Sequence, residues 1–121
     1  PRWLYVNDWQ KAVLNFLFQP SQVSFNGHSH VPIVASWQKG GAPTLDYVRD
    51  LYLASDHKYL IGTGAVGQPR DRDPRACGIV FDTESQHIQL LRVPYSIAAV
   101  QEDLMTAGLP EFLGARLELG K

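Results

Sequence analysis

The sequence predicts a layered α/β (α+β) arrangement, with strands through the middle and helices at both ends. Three observations carry this. Apolar residues recur at spacings of three and four over 3–18 and again over 97–107, the helical period. Between those stretches lie short apolar or alternating runs bounded by glycine and proline, the pattern of strands. At 45% apolar and 19% charged residues, the 121-residue chain has the composition of a folded domain with a core, which excludes a disordered tail.

Trp3, Leu4, Tyr5, Val6, Trp9, Ala12, Val13, Phe16 and Leu17 predict a first helix with a wide buried face, ended by Pro20. Residues 22–26 alternate, with Val23 and Phe25 on one face, and predict a short strand. A second strand is expected over 33–37 and, across a tight turn, as its partner. Lys39-Gly40-Gly41-Ala42-Pro43 is a loop by composition. Residues 44–56 fit a helix through Leu45, Val48, Leu51 and Tyr52, and fit a strand through Tyr47 and Tyr52. A strand over 58–61 runs into Gly62, and a polar, proline-bounded loop spans 68–75. Residues 76–82 and 87–93 form a strand pair, with Ile88, Leu90 and Arg92 facing one way and Gln89, Leu91 and Val93 the other. Ser96 is the expected N-cap of a helix over 97–107 that stops at Gly108. A last helix over 111–119 is expected to carry Phe112, Leu113 and Leu117 inward.

The formal net charge of −1 gives no bulk attraction to nucleic acid or membrane. No apolar run approaches the roughly 20 residues of a membrane helix. The single cysteine, Cys77, cannot form an internal disulfide, which fits a reducing compartment, although a secreted chain without disulfides would look the same; a cytoplasmic location is expected. Its apolar surroundings, with no base beside it, predict a buried structural thiol. The chain opens Pro1-Arg2-Trp3-Leu4 without an initiator methionine and reads as a portion of a longer protein.

Three stretches could carry chemistry. In Gly27-His28-Ser29-His30 the two histidines stand two apart. In extended backbone both would point to one side and reach one metal, and imidazole suits zinc, iron, nickel or manganese. The spacing alone favours two ordinary histidines, since a metal site needs at least three protein ligands. Gly62-Thr63-Gly64-Ala65-Val66-Gly67 matches the glycine spacing of a dinucleotide-binding turn. That turn must open a helix, and Pro69 and Pro74 leave no room for one. A glycine-rich turn followed by Arg70, Arg72 and Arg75 can still bind an anion, or the arginines can pair with Asp71 and Asp73. Those two carboxylates read as turn residues beside prolines more readily than as metal ligands.

Taken together, these stretches resemble a known family. Gly27-His28-Ser29-His30-Val31-Pro32 is similar to the closing Gly-His-x-His motif of the calcineurin-like metallophosphoesterases. Val66-Gly67-Gln68-Pro69-Arg70-Asp71, followed by Asp73-Pro74-Arg75-Ala76, resembles a more specific segment of a bacterial and archaeal branch of that superfamily. Arg92-Val93-Pro94-Tyr95, Ala107-Gly108-Leu109-Pro110, and Arg116-Leu117 with Gly120 stand where that branch has similar residues. The resemblance covers nearly the whole chain, in order. It departs at Gly62-Thr63-Gly64-Ala65, where the branch usually has Asn-Pro-Gly-Ser, and at Arg72, where it often has glycine.

The resemblance implies a layered β-sandwich with flanking helices, and residues 1–121 as the C-terminal half of one metallophosphoesterase domain. It implies metal-dependent hydrolysis of phosphomonoesters or phosphodiesters at a centre of two divalent ions (Mn, Fe, Zn or Ni). His28 would ligate one ion and His30 the other. The remaining ligands and the groups that contact phosphate would lie upstream of Pro1, so this chain alone is expected to be inactive and to need the other half. Arg70 and Arg75 are candidate substrate-binding residues at the loop. The substrate would be a phosphorylated small molecule or a phosphoprotein. The alternative is a non-catalytic structural or binding module that has lost metal chemistry.

Overall fold

The structure, a computed structural model, describes residues 9–121. The expected helical packing of Trp3, Leu4, Tyr5, Val6 and the Trp9 side chain lies outside what it describes. The described part of the first helix, α1, is Trp9–Phe18. Its end is closed by Lys58, whose Nζ donates to the carbonyls of Phe16 and Gln19, a cation where the last carbonyls of a helix lack partners.

The strands are β1 (Val23–Asn26), β2 (Ile33–Gln38), β3 (Thr44–Tyr47), β4 (Leu51–Tyr52), β5 (His57–Gly62), β6 (Ala76–Asp82) and β7 (His87–Val93). They form two sheets. The first has the order β1-β5-β2-β3, with β1 and β5 parallel and the other pairs antiparallel. The second has the order β4-β7-β6 and is antiparallel throughout. The two sheets pack face to face around Val48, Leu53, Tyr59, Ile61 and Ile88. On the other side of the first sheet, α1 seats Ala12 and Phe16 on Ala35 and Leu60, with Trp37 alongside. The result is a β-sandwich with flanking helices. Strand β5 lies at its centre, with Tyr59 and Ile61 turned to the sandwich and Leu60 to the helix, which explains its unbroken apolar run.

The ambiguous stretch 44–56 resolves into two short strands, one in each sheet. β1 and β2 do not pair, because β5 inserts between them. A parallel partner 36 residues away in the register Val23↔Tyr59 leaves no local sign in the sequence. The hairpin β6–β7 has the expected extent, and its alternation holds: Ile88 is buried while Leu91 and Val93 are exposed.

Two helices close the chain, α2 (Ile97–Thr106) and α3 (Phe112–Glu118). Ser96 caps α2 by accepting the Ala99 N–H at 3.3 Å, and Gly108 past its end has φ +67°. Leu117 of α3 is buried as expected, but Phe112 is 61% exposed. The inward side of α3 is set by Gly114, where a Cβ would lie 3.1 Å from Gln101 Cγ of α2, and by Leu117 three residues on. Phe112 lies two residues before Gly114, about 200° around the helix, and therefore points out.

Candidate functional site

Two loops leave the same end of neighbouring parallel strands. Residues 27–32 follow β1, and residues 63–75 follow β5 on their way to the second sheet. The loops start stitched together. Thr63 N donates to Asn26 O at 3.0 Å, and a Cβ on Gly62 would lie only 2.7 Å from Val31 O. The stretches singled out in the sequence, 27–32 and 66–76, therefore meet at one rim of the sandwich.

The backbone of the histidine pair is not extended. His28 has φ +69° and His30 φ +59°. Ser29 N donates to Gly27 O at 2.8 Å, a bond spanning three residues with His28 at its centre. A positive φ inside such a ring makes this the rare, strained γ-turn. The same-side argument from extended backbone thus does not apply, since left-handed residues break the two-residue alternation. Strain held at two histidines rather than at glycines points to a site where side-chain identity outweighs backbone comfort. His28 is exposed and His30 half-buried.

His30 is aimed by the second loop. Its Nδ1 lies 2.8 Å from the carbonyl of Gln68. A carbonyl only accepts, so Nδ1 carries the hydrogen and Nε2 is the nitrogen left for a ligand. Arg70 N donates to His30 O at 3.1 Å, so residues on both sides of Pro69 grip the same histidine. Pro32 and Pro69 are themselves fully buried, which stiffens both loops where they touch.

The arginines divide between roles. Arg70 Nη2 donates to Gln68 Oε1 at 2.9 Å. Arg75 forks onto Asp73 through Nε at 3.0 Å and Nη2 at 2.6 Å. Hydrogen bonding from Arg75 holds the Asp73 carboxyl down at about 2. Because its folded value lies below the ordinary carboxylate value, the pair's stabilisation is full above about pH 4 and is lost as pH falls through about 2. Asp73→Asn is therefore expected to flatten the acid limb of a denaturation-versus-pH profile between those values. A profile superimposable on that of the parent would show that the pair is not coupled to folding.

Asp71 does not pair with a loop arginine. Its side chain is 5% exposed and bonds the guanidinium of Arg92, 12% exposed, on β7. Sequence reasoning missed this pair, although its signal was there: Arg92 shares the phase of Ile88 and Leu90, a charge on the buried face of a strand. Cys77 is buried at 3% exposure, and burial raises its thiol pKa, as suits a structural thiol. No helix opens at Gly67, and residues 68–75 are loop, so the glycine pattern is not a dinucleotide turn. The other two histidines, His57 and His87, lie at the start of β5 and β7, beside Asp56 and Asp50.

Among the described residues no three His, Cys, Asp or Glu side chains gather to hold a metal. His30 nonetheless has the form of a metal-binding histidine, its second nitrogen donating to a carbonyl that fixes the ring. The residues fit a metal only as members of a larger ligand set, whose other members would have to come from outside the described residues. No helix among the described residues is long and apolar enough to cross a membrane.

The mixed α+β sandwich matches the fold of a metallophosphoesterase. The whole chain aligns with the crystal structure of a metallophosphoesterase from Sphaerobacter thermophilus at a TM-score of 0.83 and 38% identity, covering 52% of that chain. Over 105 residues, 87% of its length, it is 41% identical to the uncharacterized protein MJ0912 of Methanocaldococcus jannaschii, of which it covers 42%. The chain thus spans about half the length of each of these relatives. No family model matches it.

Proposed function

We propose that residues 1–121 are the C-terminal half of a metallophosphoesterase domain and that His28 and His30 supply two of the ligands of its dinuclear centre. The observation that carries this reading is the 2.8 Å contact of His30 Nδ1 with Gln68 O, which joins the two motifs and leaves Nε2 for a metal. The likeness to the Sphaerobacter thermophilus metallophosphoesterase supports it over the full chain. Two divalent ions bound there would supply Lewis-acid stabilisation of the charge that develops on a phosphoryl group. The chain's own part is to hold two imidazoles on a strained, preset turn and to fix one ring through Gln68. Arg70 shapes this rim through Gln68, whereas Arg75 is committed to Asp73. The substrate is a phosphomonoester or phosphodiester of a small molecule or protein, acted on in the cytoplasm.

The test uses the full-length polypeptide that carries this chain, with metal content and hydrolysis of p-nitrophenyl phosphate and its bis-ester as readouts. His28→Ala and His30→Ala are each expected to lower bound metal and to cut kcat/KM by about 100-fold or more. Retention of both metal and activity in both variants would refute the assignment. Residues 1–121 alone are expected to bind divalent metal weakly or not at all. Tight stoichiometric binding by that piece, lost in His28→Ala, would overturn the placement of the remaining ligands outside it.

A further inference from the structure

We infer that Asp71 and Arg92 are positioning residues that aim His30, acting through the loop between them. Arg92 stands on β7 with its side chain on the inner face of the second sheet, opposite Cys77. Its guanidinium reaches three points of the 63–75 loop: both oxygens of Asp71, the carbonyl of Arg75 at 3.4 Å, and Asp73 Oδ2 at 3.7 Å. The same loop holds His30 from the other side, through Gln68 O on the ring and Arg70 N on the backbone carbonyl. Only Pro69, fully buried and fixed in φ, separates those two grips, and Asp71 follows directly. Between Asp71 and Gln68 the chain has little freedom to absorb a shift, so the angle at which Gln68 O meets His30 is set by where Arg92 pins Asp71.

The chemistry of the pair favours positioning over stability. Both side chains are nearly out of solvent, at 5% and 12% exposure. Desolvating a carboxylate and a guanidinium offsets most of their attraction, and matched apolar replacements of buried ion pairs are often neutral or stabilising. What an apolar pair cannot reproduce is the bidentate geometry that fixes one loop atom relative to another. That the aimed ring is a metal ligand rests on the function proposed above; that it is aimed does not.

The decisive variant is the double replacement Asp71→Leu/Arg92→Met in the full-length polypeptide, which removes both charges together. Spectra of protein labelled with ¹⁵N-histidine report which ring nitrogen carries the hydrogen. In the parent, His30 is expected as a single Nδ1–H form. In the double variant it is expected as a mixture of the two ring forms, with His57 and His87 unchanged. Exchange of the Arg70 amide is expected to quicken by about tenfold, and Zn²⁺ or Mn²⁺ affinity to fall by about 10-fold. Arg92→Lys, which keeps the charge but offers a point contact, is expected to restore the His30 signature in part. A folded double variant with an unchanged His30 signature and unchanged Arg70 protection would overturn the inference. So would a double variant that fails to fold, since the pair would then hold the sandwich rather than aim a side chain. If the His30 signature shifts but the parent binds no divalent metal, positioning stands and the metallophosphoesterase reading fails.

Discussion

Gly64→Ala is expected to destabilise the fold by about 2–4 kcal/mol, read as a shift in urea midpoint at constant slope. Two independent penalties add. Gly64 has φ +73°, where an alanine is disfavoured by about 1 kcal/mol. A Cβ built there would also overlap the Cys77 side chain, lying 2.9 Å from its Cβ and closer still to its sulfur. Overpacking of this kind costs about 1–3 kcal/mol. The neighbour cannot easily retreat, because Cys77 N donates to Ala65 O at 2.9 Å and ties the loop to the first residues of β6. Cys77→Ala in the same chain removes the sulfur and is expected to recover part of the loss, while the φ penalty persists. A Gly64→Ala midpoint indistinguishable from the parent would show that β6 moves freely relative to this loop.

The three glycines of the 62–67 pattern show what a motif of spacing conceals. Gly62 is needed because Val31 O passes where a side chain would sit, and Gly64 because of its φ and Cys77. A Cβ at Gly67 would meet nothing within 4 Å. Spacing alone suggested a phosphate cradle; the causes are contacts with residues far along the chain. The same division runs through the fold. Features set by neighbours in sequence were legible: the β6–β7 alternation, the Ser96 cap, and the 39–43 loop that joins β2 to β3. Features set by distant partners were not. Nothing local in 22–37 shows that β5 comes between its strands, and β3 and β4 are too short for their period to declare itself. At the candidate site, the sequence pointed to His28, His30 and the 66–76 loop. What it hid was the left-handed backbone that holds the histidines and the reach of Arg92 across to Asp71.

His28→Gly is expected to be more stable than His28→Ala by about 1 kcal/mol, although glycine is ordinarily the more costly residue to order. Both variants lack the imidazole and every contact it makes, so the difference between them isolates the backbone. At φ +69°, closed by the Ser29 N to Gly27 O bond, alanine's Cβ crowds the adjoining carbonyl and glycine has no Cβ to crowd it. Outside this turn the order would reverse, because glycine gives the unfolded chain more freedom to lose. Chemical denaturation of the two variants in metal-free buffer measures the difference directly, and equal midpoints or a more stable alanine variant would mean the turn is unstrained. Metal binding by the full-length protein should not follow that order, being lowered in both variants alike. A position whose backbone favours glycine while the proposed ligand must be histidine is one where backbone comfort and function oppose each other. His30, at φ +59° two residues on, faces the same opposition, and there the bond to Gln68 O adds a contact that glycine would forfeit.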